Sequence, residues 1–170
     1  MINESSLSRI KSHIEGDKDF CILTAYRGGN ETKVNKRKNR ALASDIRQMG
    51  CGFFHLDGYF IEDKGTEDER KIEEDSLFVI SNGSSSFARQ ITKLANDYDQ
   101  EGVILKIEDV IYYLDVRTNE KFDVGKFHPG RIGEYYSKLK TVHGGTFIFE
   151  GIRMEKGILA KYMDRRFNRD

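Results

Sequence analysis

The chain has only two cysteines, no excess of either charge, and no apolar run approaching the roughly 18 residues that a membrane-crossing helix needs. Each of these absences excludes a class of protein. Cys21 and Cys51 stand in or beside apolar runs, far apart and without CxxC spacing, so they read as small buried hydrophobes of a reducing compartment, not as a disulfide or metal framework. Lysine plus arginine and aspartate plus glutamate each number 28, giving a formal net charge of zero. A protein built to grip nucleic acid carries a basic excess instead. The start, Met1-Ile2-Asn3-Glu4-Ser5, lacks the basic-then-apolar order of a signal peptide. These readings predict a cytoplasmic protein with no nucleic-acid and no membrane partner.

Familiar catalytic patterns are missing too. His13, His55, His128 and His143 are scattered, with no i, i+4 pair of the kind that binds a metal on a helix. His55-x-Asp57 on a strand shares one face, but a lone pair is a weak metal signal and is more often structural. No G-x-S-x-G elbow occurs, and neither cysteine has an evident activating neighbour. An enzyme with this sequence works by binding and orientation, with no metal or cofactor.

What is present is a 170-residue chain, 38% hydrophobic and 33% charged, long enough for a substantial core under a heavily charged surface. The expected organisation is a single domain, with a core over about residues 18–115, an N-terminal helix within 1–16 and a C-terminal extension over 116–170. Leu7, Ile10 and Ile14 make one face of a helix over residues 3–14, ended by Gly16. Phe20 to Tyr26 is too continuously apolar for a half-exposed strand and is placed at the centre of a sheet. Leu42, Ile46 and Met49 mark a helix over 32–49, with Gly50 as its stop. Its basic start, Lys33, Lys36, Arg37, Lys38 and Arg40, is either a phosphate or nucleic-acid contact or, as the acids elsewhere suggest, a solvated face.

Strands are expected over 52–61 and 76–80, then a Gly/Ser loop (Asn82 to Ser86) that caps a helix striped by Phe87, Ile91, Leu94 and Tyr98. Without a GxxxxGK[ST] or GxGxxG pattern, capping explains that loop better than phosphate binding does. Residues 102–107 and 110–114 form a hairpin about Glu108-Asp109. Beyond Asp115 the expectations are turns at Thr118-Asn119 and Pro129-Gly130, a short helix over 132–139, a strand over 146–152 and a helical or frayed tail over 157–170. The order strand, helix, strand, strand, helix, strand is the split βαβ arrangement. The fold class is therefore α+β, an antiparallel ferredoxin-like sheet with two helices on one face.

The stretch from Leu56 to Ile80 organises the chemistry. Between Glu62 and Asp75 lie eight acidic and three basic side chains, and the run Glu73-Glu74-Asp75-Ser76 leads into Leu77 to Ile80. A carboxylate at the threshold of a buried strand is held by rigid backbone, as a site for a cationic group requires. Glu74 is the first candidate, although a glutamate closing an acidic loop is ordinarily just solvated.

Phe20 to Arg27, the Asn35/Arg37/Arg40 helix, Gly58 to Glu62, Glu73 to Val79 and Leu94 to Ile104 together resemble the bacteriophage S-adenosylmethionine lyases, formerly called S-adenosylmethionine hydrolases. Each motif is short. Their joint order over roughly residues 18–115 carries the likeness.

The resemblance implies a PII-like homotrimer with its ligand where two subunits meet. It also implies cleavage of S-adenosylmethionine to methylthioadenosine and homoserine lactone, starving host methyltransferases and restriction systems. The critical acid of the family falls on Glu74. The aromatic of the preceding strand falls on Phe60, where the family usually has tyrosine, so either Tyr59 takes that place or the hydroxyl is dispensable. Tyr26, Arg27, Tyr98 and Gln100 complete the expected substrate contacts, although a helix-end amide such as Gln100 is more often a cap. Rival readings are a non-catalytic PII-like module for an adenine nucleotide, a phage inhibitor protein, and a nucleic-acid binder acting through Lys33 to Arg40.

Overall fold

The computed structural model describes residues 6–27, 29–62, 67, 70–123, 127–129, 136–139 and 146–149. Strand β1 (Phe20–Leu23) lies in the middle of the sheet because its residues are apolar on both faces. It pairs antiparallel with β3 (Arg70–Ile80) on one side and with β4 (Gly102–Ile107) on the other. The outer edge of β3 carries β2 (Gly52–Glu62), in an eleven-residue ladder from Gly52↔Ile80 to Glu62↔Arg70. The order β4-β1-β3-β2 is the ferredoxin-like arrangement, and the fold class is α+β as expected. Strands β5 (Val110–Asp115) and β6 (Lys121–Asp123) extend the sheet beyond β4. Beyond β2 it continues through β8 (Tyr136–Leu139), β9 (Thr146–Phe149) and β7 (Phe127–Pro129).

Two helices cover one face. In α2 (Thr32–Gln48) the buried stripe is Asn35, Asn39, Leu42, Ala43 and Ile46. In α3 (Phe87–Asp97) it is Phe87, Ile91, Leu94 and Ala95. Both stripes meet Cys21, Leu23, Leu77, Val79, Val103 and Leu105 of the sheet in one core. Burying each large side chain contributes about 1.5–3 kcal/mol. Gly50, at φ 75°, takes the left-handed conformation that ends α2, a position costly for residues with a Cβ. Both cysteines are free and buried.

The opposite face is capped by α1 (Ser6–Glu15), whose Ile10 and Ile14 pack with Phe20, Leu56 and Phe78. The Phe20 and Phe78 rings stack at 4.7 Å between centroids. Lys106 of β4 fixes the end of α1: its ammonium, buried with the residue at 3% exposure, donates to the Ile14 carbonyl at 3.0 Å and to that of Gly16. The last turn of a helix leaves carbonyls unpaired, and a cation there satisfies both geometry and dipole.

Two expectations change. β3 begins at Arg70, not Ser76, so Glu73, Glu74 and Asp75 lie inside a paired strand and the acidic connection is short. The ladder with β2 supplies the backbone bonds, which do not depend on the side chains being apolar. The expected helix over 132–139 is replaced at its end by β8, which pairs with β2 from Leu56↔Leu139 to Tyr59↔Tyr136. An open strand edge offers a row of unpaired backbone groups, and that outcompetes a weak local helix signal. Of the strand expected over 146–152, Thr146–Phe149 forms, while 150–152, Gly130 and the tail 157–170 lie outside the described residues.

Candidate functional site

The site is organised where β1 leaves the sheet. Thr24 to Arg27 continue past the strand, and their backbone groups find side-chain partners instead of a ladder. Asn39 Oδ1 accepts the Ala25 N–H at 3.0 Å. Asn35 Oδ1 accepts the Arg27 N–H at 3.0 Å, and its Nδ2 donates to the Arg27 carbonyl at 3.0 Å. The Gln100 amide, 6% exposed, donates to the Tyr26 carbonyl at 3.1 Å. Side chains here supply the backbone pairing that a strand ladder would otherwise give.

The same clamp reaches β3. Asn39 Nδ2 donates to the Asp75 carbonyl at 3.3 Å, and the Thr24 hydroxyl donates to it at 2.5 Å. Asp75 is the residue next to Glu74, so the β1 exit and α2 set the position of the acidic run. Glu74 itself is half-buried and stands opposite Gly58 in the ladder. Leu77 and Val79 face α2 and α3, whereas Phe78 faces α1. A period of two therefore puts Asp75 on the helix side and Glu74 on the other.

Arg27 and Tyr98 tie the exits of β1 and α3 together. The Arg27 guanidinium donates to the Asp99 carbonyl at 3.0 Å and lies 3.5 Å from its carboxylate. The Tyr98 hydroxyl donates to Asp45 Oδ2 of α2 at 2.7 Å. Burial, and then the hydrogen bond and charge of Asp45, hold the Tyr98 phenol well above its usual pKa. The structure thus brings Tyr26, Arg27, Tyr98 and Gln100 into one neighbourhood on the exits of β1 and α3. Register places Tyr59 opposite Glu73 and Phe60 opposite Ile72, so position 60 belongs to the strand face of Glu74 and position 59 to the other. The side chains of both lie outside the described parts.

Sequence reasoning missed Asn39 and the use of Asp75. The signal was there: positions 35, 39, 42 and 46 form one helical stripe, and asparagine in the buried phase of a helix marks a polar group that needs a partner. Also unforeseen is a cleft of about 330 Å³ between α2 and the sheet, lined by Lys36, Asn39, Arg40 and Arg47 from the helix and by His55 and Asp75 from the strands. His55 Nδ1 lies 3.9 Å from Asp75 Oδ1. No group of three or more metal-ligating side chains occurs among the described residues, and no helix there is long and apolar enough to cross a membrane.

Fold and site together define a ferredoxin-like α+β protein with polar residues gathered at the strand exits. A sequence model described as the S-Adenosylmethionine lyase family matches residues 21–147, and the chain belongs to that family. S-adenosylmethionine is accordingly its substrate, and cleavage of that molecule its reaction. A comparison with curated protein sequences gives no match.

Proposed function

We propose that the chain cleaves S-adenosylmethionine by an attack within the substrate itself. The membership in the lyase family is the observation that carries this reading. The substrate carboxylate oxygen forms a bond to Cγ, the Cγ–S bond breaks, and its electron pair passes to sulfur. Methylthioadenosine and homoserine lactone leave, and the substrate ammonium keeps its proton throughout. Carboxylate and sulfonium charges cancel as the transition state forms, so a water-poor pocket favours it over the ground state. Holding the substrate folded removes the entropy of bringing the ends together, worth up to about 7–11 kcal/mol in favourable cases. No base, metal or cofactor enters this scheme.

Glu74 holds the cationic or hydroxyl end of the substrate, and its place in a long ladder suits that task. Tyr26, Arg27, Tyr98 and Gln100 shape the neighbouring wall, with Gln100 acting through the Tyr26 carbonyl. Tyr59 or Phe60 supplies the aromatic surface for the sulfonium. Glu74 lies on the sheet face away from α2 and α3, so a pocket that also uses the α3 exit is completed by a second subunit. The part-buried Ile22, Phe54, Ile80, Ile104 and Tyr113 on the α1 side support a homotrimer packed through that face. In a phage-infected cell such an enzyme deprives methylation and restriction systems of their cofactor.

The test is mass spectrometry of products from S-adenosylmethionine in ordinary and oxygen-18 water. Unlabelled homoserine lactone with methylthioadenosine is expected, and Glu74→Gln is expected to lower kcat/KM by about 100-fold or more, as loss of one preorganised electrostatic contact does. Labelled homoserine formed directly would mean water attacks. Unchanged S-adenosylmethionine would make the protein a binding module.

A further inference from the structure

From the cleft between α2 and the sheet we infer a second binding site, for a small molecule carrying two or more phosphate groups. Lys36, Arg40 and Arg47 fall at i, i+4 and i+11, one stripe of α2, and all three line a cleft of about 330 Å³. That is a small-ligand volume. Like charges four apart on a helix oppose each other by about 0.2–0.5 kcal/mol, and α2 carries such a pair at Lys36 and Arg40 in the cleft as it does at Lys33 and Arg37 outside it. Some cations elsewhere are paired, as in Arg27–Asp99, Lys93–Asp97 and Arg117–Glu101. No ion pair engages Lys36, Arg40 or Arg47 among the described residues. Arg47 is instead positioned by the Phe53 ring, 4.8 Å from its guanidinium carbon.

The chemistry of this lining selects its ligand. Three cations, each on an exposed residue, line the cleft together with the Asp75 carboxylate, a net positive lining that repels a sulfonium and draws a polyanion. Two guanidinium groups offer paired donors suited to phosphate oxygens. Asp75 and His55 on the far wall, 3.9 Å apart, are placed to meet a hydroxyl or amine on the same molecule. The cleft opens on the helix side of the sheet, whereas Glu74 lies on the other side, so this is not the pocket proposed for S-adenosylmethionine.

Calorimetric titration of the full chain with tripolyphosphate and, separately, with ADP tests the site by binding alone, so its outcome does not depend on turnover. Saturable binding of one molecule per chain is expected. Arg40→Gln and Arg47→Gln should each weaken it by about 10-fold or more, as losing one charge-assisted contact does. Lys33→Gln, an exposed α2 charge outside the cleft, should change it less than 2-fold by the same reckoning. Tighter binding of ADP than of tripolyphosphate would identify a nucleotide ligand, and equal binding a phosphate chain alone. Absence of saturable binding, equal losses in all three variants, or tighter binding to duplex DNA than to either probe would overturn the proposal.

Discussion

Replacing Asn39 by aspartate tests the link between the β1 exit and the acidic run of β3. Asn39 is 4% exposed and uses both ends of its amide, the oxygen on the Ala25 N–H and the nitrogen on the Asp75 carbonyl. Aspartate keeps the first bond and turns the second into two facing oxygens. Loss of a buried hydrogen bond costs about 1–3 kcal/mol. The Thr24 hydroxyl still donates to the same carbonyl at 2.5 Å, so that acceptor is not orphaned and the lower part of the range applies. Desolvation of the new carboxylate adds a similar amount, giving about 2–3 kcal/mol at neutral pH, or roughly 4–12 °C in Tm for a chain of this size.

The pH dependence has a definite sign. Burial raises the folded pKa of the new carboxyl above its unfolded value of about 3.9, and the protonated form can donate to the Asp75 carbonyl. The folded state then binds the proton more tightly than the unfolded state. The variant's stability is therefore fully present below about pH 3.9 and is lost as pH rises through the folded value. Urea denaturation of both proteins at about pH 7 and about pH 4.5 should show the deficit shrinking at the lower pH. A deficit of equal size at both, or none near neutrality, would refute the reasoning.

Two further substitutions probe the supports of the site. Tyr98→Phe removes the bond to Asp45 and should cost about 1–2 kcal/mol near neutrality. Because the folded Tyr98 pKa is raised, that contribution is complete below about pH 10 and fades as pH climbs further, so a difference from wild type that persists unchanged in strong alkali counts against it. Lys106→Met leaves the Ile14 and Gly16 carbonyls without their ammonium and should weaken α1 docking by about 2–3 kcal/mol. Hydrogen exchange would show the amides of α1 losing protection while β3 keeps its own, and protection unchanged in α1 would deny the tether.

The periodicities in the sequence determined the elements of the core. The continuous apolar run at Phe20 to Leu23 reads as a central strand, and the stripes through Leu42, Ile46 and through Phe87, Ile91, Leu94 as helices with one buried face, and the structure has all three. The order of those elements then leaves few topologies, and the ferredoxin-like one is adopted. Local chemistry likewise marked Gly50 as a stop and Thr118-Asn119 as a turn, with Asn119 at φ 60°.

Tertiary structure decided what depends on partners distant in sequence. That Asp75 belongs to a paired strand follows from its register with Asp57, and neither residue's neighbours announce it. Tyr136 to Leu139 became a strand because β2 had an open edge far earlier in the chain, from Leu56↔Leu139 to Tyr59↔Tyr136. Asn39 is a polar residue in an apolar stripe until Ala25 and Asp75 arrive to use it. Lys36 and Arg40 read as part of a solvated charge run, and Arg47 draws no notice, until the sheet supplies the far wall of a cleft. Periodicity encodes which face a residue turns inward, because burial is a property of one element against solvent. A hydrogen-bond partner or a cleft wall belongs to two elements at once, and only their packing brings them together.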